Sequence, residues 1–211
     1  MRPPQTRPTE PLFYLPTVRS GRVQRMIVVV SGLPRSGTSM MMNMLQAGGV
    51  PVLTDNQREA DEDNLRGYLE YEQVKQLDRD ASWLAEAEGK AVKIISILLK
   101  NLPRDHEYRV IFMHRDIIEI LASQRKMMER RGEEPDGVPD EAMAALYRKH
   151  LSEVQQWLDD QPNIETLHIN YNETLKDPWP AVDRVNEFLG GGVDVDSMAK
   201  VVDPKLYRQR K

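Results

Sequence analysis

One stretch decides how this chain folds: Met26-Ile-Val-Val-Val-Ser-Gly-Leu-Pro-Arg-Ser-Gly-Thr-Ser39. Its first part, 26–31, is a continuous run dominated by β-branched residues, which is typical of a parallel strand buried on both faces. Gly32 and Gly37 break the run, and residues 38–47 read as a helix. A buried strand that enters a helix through a glycine-rich turn predicts a phosphate-binding loop, because backbone N–H groups converge there and the helix N-terminus is partly positive.

The loop differs from the nucleoside-triphosphate motif G-x-x-x-x-G-K-[ST]. Gly32 and Gly37 keep the spacing, but Thr38 stands where the lysine belongs, and the cation is Arg35, inside the loop. An arginine fork can grip two oxygens of a sulfate or phosphate group. The alternative is a strand–turn–helix corner without a ligand. The coincidence of strand, glycines, arginine and hydroxyl residues favours an anion site.

Strands and helices alternate along the rest of the chain. Strands are predicted at 50–53, 91–96, 108–114 and 164–169, and helices at 68–77, 81–87, 116–130, 140–158 and 179–189. This alternation predicts an α/β fold of three layers, in which a central parallel sheet of about five strands is flanked by helices.

Composition limits the possible functions. The chain has 211 residues, a formal net charge of −4 and no cysteine, which excludes disulfides, zinc thiolate sites and a cysteine nucleophile. The negative charge argues against nucleic acid as a partner. No apolar run approaches the roughly 20 residues of a membrane span, and no signal-peptide core is visible, so a cytoplasmic location is expected. Residues 1–24, rich in Pro and Arg, are expected to form a flexible arm, and 25–211 a single domain.

A second anion site is predicted beyond the third strand. Arg115 follows the strand 108–114, and Ser123 lies eight residues later, about two turns into the next helix. Because ligands of open α/β sheets bind at the carboxyl ends of strands, these two side chains can hold one phosphate together. The alternative is an ordinary pair of surface residues.

At this point the sequence resembles a family. The segment Pro34-Arg-Ser-Gly-Thr38 is similar to the 5′-phosphosulfate loop of sulfotransferases that use 3′-phosphoadenosine 5′-phosphosulfate (PAPS), especially the branch with protein-tyrosine sulfotransferases and bacterial homologues. The pair of Arg115 and Ser123 has the spacing of that family's 3′-phosphate site. The resemblance implies a P-loop fold, PAPS as sulfuryl donor and a hydroxyl or amine acceptor. No metal is expected, because side chains can carry the positive charge and the four histidines are scattered, without a His-x-x-x-His pair. The donor-binding residues it implies are Pro34, Arg35, Ser36, Gly37, Thr38, Ser39, Arg115 and Ser123.

The resemblance also suggests catalytic residues. Lys93 corresponds to the lysine of a Lys-Thr-His segment in cytosolic members, where it serves the bridging oxygen; Ile95 occupies the place of the histidine. Arg35 and Lys93 are therefore expected to stabilise the departing charge, and the base must come from elsewhere. Glu70 is the first candidate, because residues 67–73 resemble the segment in which the tyrosine-sulfating branch carries a glutamate base on a helix.

Several assignments stay open at this stage. Other possible bases are Glu72, Asp55, Glu59 and Asp61. The basic C-terminal tail could fold back with Arg208 near the 3′-phosphate, or it could be frayed. The rival functions are a nucleotide or metabolite kinase with a degenerate loop and a non-catalytic nucleotide-binding protein. Sugar, lipid, phenol and peptide acceptors are all compatible with the sequence.

Overall fold

A parallel sheet forms the centre of the molecule. The structure, a computed structural model, describes residues 17–19, 22–24, 26–55, 67–133 and 137–203. The strands in this part of the chain are β1 (Thr17–Arg19), β2 (Arg22–Gln24), β3 (Ile27–Gly32), β4 (Ala91–Lys93), β5 (Tyr108–His114) and β6 (Ile164–Asn170). The last four form the central sheet in the order β4-β3-β5-β6, and every neighbouring pair is parallel.

Helices cover both faces of this sheet. They are α1 (Thr38–Ala47), α2 (Leu84–Ala87), α3 (Ile117–Arg131), α4 (Asp140–Asp159), α5 (Tyr171–Lys176), α6 (Trp179–Phe188) and α7 (Val195–Val201), with 3-10 helices at Glu72–Gln76 and Ser96–Asn101. Val28 and Val30 of β3 pack in one core cluster with residues of α1, α6 and α7. Ile27 and Val29 pack in the other, with residues of α2 and α4. Burial on both faces explains the unbroken β-branched run, and the predicted three-layer α/β fold is confirmed.

The central sheet has fewer strands than expected. The central sheet has four strands in the described part of the chain rather than about five, because the expected strand 50–53 is reduced to one isolated bridge between Val52 and Ala91. The strand expected over 91–96 stops at Lys93. After it the Ile94 N–H still bonds to the Val30 carbonyl at 3.0 Å, and the chain then turns into the 3-10 helix that starts at Ser96.

The helix predicted over 68–77 is wrong in its first half. Tyr71, directly before the 3-10 helix, is extended, and Gly67 (φ 80°) and Leu69 (φ 45°) are left-handed. The physical reason is a set of tertiary hydrogen bonds: the Glu70 carbonyl accepts from Thr54 Oγ1 at 2.9 Å and from the Asp55 N–H at 3.2 Å. An α-helix would direct that carbonyl along its own axis, so helical pattern alone could not foresee this path.

The N-terminal segment contains one regular feature. Strands β1 and β2 pair antiparallel, with Val18 opposite Val23. They lie inside the arm predicted over residues 1–24, so six residues of that arm are described as a hairpin. The domain bounds themselves stay a prediction.

Candidate functional site

The glycine-rich loop lies between β3 and α1, at the carboxyl edge of the sheet. A turn closes it, in which the Ser36 N–H bonds to the Leu33 carbonyl at 3.1 Å. Gly37 is the N-cap of α1 with φ 101°, and Arg35 has a φ of 69°, which is uncommon outside glycine. The first N–H groups of a helix have no intrahelical acceptor, so the α1 N-terminus presents donors and a partial positive charge to an anion.

Two glycines of the loop are required by space as well as by φ. A Cβ on Gly32 would lie 2.5 Å from Ser36 Oγ and 2.6 Å from the Met113 carbonyl oxygen of the neighbouring strand. A Cβ on Gly37 would lie 2.3 Å from the Tyr171 ring. The loop is thus packed between β5 and the start of α5, and it can hold its shape only without side chains at these positions.

Gly32→Ala is expected to destabilise the protein by about 2–4 kcal/mol, because backbone strain adds to a clash with the backbone of β5. Gly49→Ala is the matched control, since Gly49 also has a positive φ (89°) but no atom within 4 Å of the added Cβ. It should lose only about 1–2 kcal/mol from strain. Urea unfolding of both variants measures the difference; equal losses would contradict the crowding of the loop.

The second predicted anion site meets the first at Arg35. Arg35 Nε donates to Ser123 Oγ at 3.0 Å, and Arg115 Nη1 donates to the Arg35 carbonyl at 2.9 Å. The Arg115 side chain is only 7% exposed, and Ser123 is buried. Parallel pairing of β3 with β5 places the loop and the Arg115 strand end side by side. The structure therefore brings Arg35, Arg115 and Ser123 into one cluster.

A buried ammonium connects the loop to the predicted base. Lys93 Nζ donates to Ser39 Oγ at 3.3 Å and to the Tyr68 carbonyl, and it pairs with Glu70 Oε1 at 3.1 Å. The Lys93 side chain is 6% exposed, whereas the Glu70 side chain is 35% exposed. The carboxylate is thus held by the lysine and still reaches solvent, where an acceptor could approach.

Glu70 reaches Lys93 from an unusual backbone. It lies between the left-handed Leu69 and the extended Tyr71, not on a helix as expected. The left-handed Leu69 lies between the Tyr68 carbonyl and the Glu70 carboxylate, both of which contact Lys93. A non-glycine residue in this region carries strain of order 1–2 kcal/mol, and Leu69 offsets it by packing against the core.

The other candidate bases are placed differently. The Glu72 carboxylate pairs with Lys75 at 2.7 Å, and Asp55 Oδ2 accepts the Glu72 N–H at 2.6 Å. Both carboxylates therefore have partners other than Lys93. Glu59, Asp61 and Arg208 lie outside the described residues.

Sequence reasoning missed Tyr171 and Asn172, which begin α5 directly after β6. The Tyr171 ring packs against Gly37 and lies 4.7 Å from the Arg115 guanidinium carbon. Burial raises the pKa of its phenol; Glu119 raises it further, whereas Arg115 and Arg35 act against this shift. The signal was available, because the end of β6 lies at the same carboxyl edge as the ends of β3 and β5.

Two kinds of feature are absent from the part of the chain that the structure describes. It holds no group of three or more histidine, aspartate or glutamate side chains arranged for a metal ion. None of its helices combines the length and the apolar character needed to cross a membrane.

Comparison with solved structures shows the same fold in other proteins. One is retinol dehydratase in complex with androsterone and the inactive cofactor PAP, at 16% identity and a TM-score of 0.51; the match covers 83% of this chain. This chain spans only 62% of the retinol dehydratase chain. Another is the sulfotransferase domain of the Synechococcus PCC 7002 olefin synthase, at 14% identity and a TM-score of 0.50, covering 92% of this chain and 86% of that one. A search of curated protein sequences finds no significant match.

A family model gives the sequence-level assignment. The model described as the sulfotransferase family matches residues 53–194, about two thirds of the chain. The match begins after the glycine-rich loop and includes Glu70, Lys93, Arg115 and Ser123, so loop and model are separate observations. Because the model covers well over half of the sequence, the chain belongs to the sulfotransferase family.

Proposed function

We propose that this protein transfers a sulfuryl group from PAPS to a hydroxyl or amine acceptor. The observation that carries the proposal is the position of Lys93, whose ammonium contacts Ser39 of the anion loop on one side and Glu70 on the other. This arrangement joins an anion-binding helix start, a buried cation and a carboxylate in one place. These are the groups that sulfuryl transfer between a phosphosulfate and an acceptor requires.

The chain has suitable groups for both ends of the donor. The loop from Pro34 to Ser39, including Ser36, Gly37 and Thr38, offers helix-start N–H groups, hydroxyls and the Arg35 guanidinium to the 5′-phosphosulfate. Arg115 and Ser123 offer a charged and a neutral donor to a 3′-phosphate. Retinol dehydratase, which shares the fold, was crystallised with PAP, and we extend this ligand to the present protein as part of the proposal.

The residues then have distinct roles in the reaction. The donor supplies a sulfuryl group on a good leaving group, and transfer is expected to be loose, so positioning and charge stabilisation provide most of the acceleration. Glu70 takes the acceptor proton while the new bond to sulfur forms and the bond from sulfur to the bridging phosphate oxygen breaks. Arg35 and Lys93 stabilise the negative charge that collects on the departing PAP.

Because these side chains supply the positive charge, we propose that the reaction proceeds without a metal. A kinase with a degenerate loop is not favoured, since Thr38 replaces the lysine of the triphosphate loop and the family model is that of sulfotransferases. A cytoplasmic location and the lack of a nucleic-acid partner remain predictions from composition.

PAP is expected to raise the melting temperature by about 5–10 °C at a hundred times its Kd, and AMP at the same concentration by much less. The reason is that only a nucleotide with phosphate at both ends fills the loop and the cluster of Arg115 and Ser123. Thermal unfolding in EDTA with PAP, AMP or no nucleotide measures this. Ser123→Ala, which removes one hydroxyl, should reduce the advantage of PAP over AMP.

Three outcomes would contradict the proposal. Equal shifts in melting temperature with PAP and AMP would contradict the existence of a 3′-phosphate site. A larger shift with ATP and Mg²⁺ would favour a kinase. A panel of phenol, alkyl alcohol, sugar, amine and tyrosine-peptide acceptors with ³⁵S-labelled PAPS then tests turnover. Binding of PAP without transfer to any of them would favour a non-catalytic nucleotide-binding protein.

A further inference from the structure

Asn172, which follows the end of β6, forms hydrogen bonds to the start of α3. Asn170 caps α5 by accepting the Glu173 N–H at 3.1 Å, which fixes the next two residues at the carboxyl edge of the sheet. The Asn172 amide is used at both ends. Its Oδ1 accepts the Asp116 N–H at 3.3 Å, and its Nδ2 donates to Glu119 Oε2 at 2.8 Å.

Glu119 transmits this contact to Arg115. Its side chain is 6% exposed, and a buried carboxylate needs partners to offset its lost hydration. The same oxygen that accepts from Asn172 also pairs with Arg115 Nε at 3.2 Å. Asn172 therefore fixes the position of the atom to which Arg115 is bound, and this buried geometry leaves little room for an alternative.

Arg115 is held from three sides. Nε is bound to Glu119, Nη1 is bound to the Arg35 carbonyl, and the guanidinium carbon lies 4.7 Å from the centre of the Tyr171 ring. The orientation of an arginine fork decides which oxygens it can grip. If Glu119 moved, Arg115 would lose the partner of its Nε, and its fork would be aligned less exactly.

We propose that Asn172 is a positioning residue for a 3′-phosphate: it holds Glu119, which orients Arg115. The inference rests on the proposed function. An amide is needed at this position because one end must accept the Asp116 N–H and the other must donate to the Glu119 carboxylate. Aspartate has the same shape but lacks the donor, and it would place two carboxylates in contact beside Arg115.

The test compares Kd for PAP and for AMP by calorimetry in EDTA. Asn172→Asp should weaken PAP binding by about tenfold, by analogy with the loss of a hydrogen-bonded partner behind a metal ligand, and change AMP binding less than twofold. Asn163→Asp is the matched control, because it also removes a buried amide donor, which bonds to the His106 carbonyl at 2.8 Å, but at the amino end of β6, away from Arg115. It should leave the ratio of the PAP and AMP affinities unchanged, whereas a general structural defect would affect both variants alike.

The outcomes separate this inference from the proposed function. If the wild-type protein binds PAP no better than AMP, the proposed function fails. If the wild type prefers PAP and Asn172→Asp keeps that preference, or if PAP and AMP affinity fall together, the positioning role is overturned. Should Asn172→Asp fail to fold, Asn172→Ala removes the donor without adding charge and must show the same selective loss of PAP binding.

Discussion

Glu70→Gln is expected to lower kcat for sulfuryl transfer by about 10²- to 10⁴-fold and to change Kd for PAP little, because the reaction loses its proton acceptor. The amide keeps the size of the side chain, and its oxygen can still accept from Lys93 Nζ, which now lies 3.1 Å from Glu70 Oε1. The rate is measured as ³⁵S transfer to the best acceptor of the panel, and Kd by calorimetry.

Glu72→Gln is the matched control for this variant. Glu72 lies two residues away and is the second candidate from the sequence, but its carboxylate pairs with Lys75 at 2.7 Å. The control should keep kcat within about threefold of the wild type, as expected for a group outside the reaction. Near-normal turnover of Glu70→Gln would move the role of base to Glu72, Asp55 or Glu59.

Arg35→Ala is expected to lower kcat by about a hundredfold at saturating PAPS, which corresponds to about 3 kcal/mol of transition-state stabilisation. Arg35 is the cation inside the anion loop. Its backbone is left-handed (φ 69°), and its Nε donates to Ser123 Oγ at the junction of the two anion sites. Removing it takes a charged fork away from the transferring group. Single-turnover transfer from labelled PAPS measures the effect on chemistry apart from product release.

Two further variants serve as controls for Arg35→Ala. Arg35→Lys keeps the charge but not the fork and should retain more activity than Arg35→Ala. Arg125→Ala removes an exposed arginine of α3 that pairs with Asp140 at 2.9 Å, and it should leave kcat unchanged. If Arg35→Ala were as active as Arg125→Ala, Arg35 would have no part in catalysis.

Elements with strong local signals were predicted well. Strand β5 was expected over the same residues, 108–114, that the structure shows, and the bounds of α4 and β6 differ from the expected ones by a single residue. In β3 the signal was the unbroken β-branched run. Such a signal is local because the spacing of apolar residues within one segment shows which of its faces are buried.

Elements at the edge of the sheet were predicted poorly. The segment around Glu70 was expected to be helical, yet its carbonyl is bonded to residues 54 and 55, and Leu69 adopts a left-handed φ. Val52 makes only one bridge to Ala91, although its sequence suited a strand. Around Glu70, contacts with chain distant in sequence outweigh a weak local preference.

By itself the sequence determined the kind of fold and the anion loop. A buried strand, two glycines at fixed spacing and a helix start are contiguous, so their geometry follows from local physics. Only the tertiary structure decided how the remaining site residues meet. Lys93 reaches Glu70, and Asn172 reaches Glu119, across 23 and 53 positions of the chain. Parallel strands bring their carboxyl ends to one edge, but which side chains then touch depends on the path of each connecting segment. That path is fixed by contacts such as those of the Glu70 carbonyl, which no local pattern encodes.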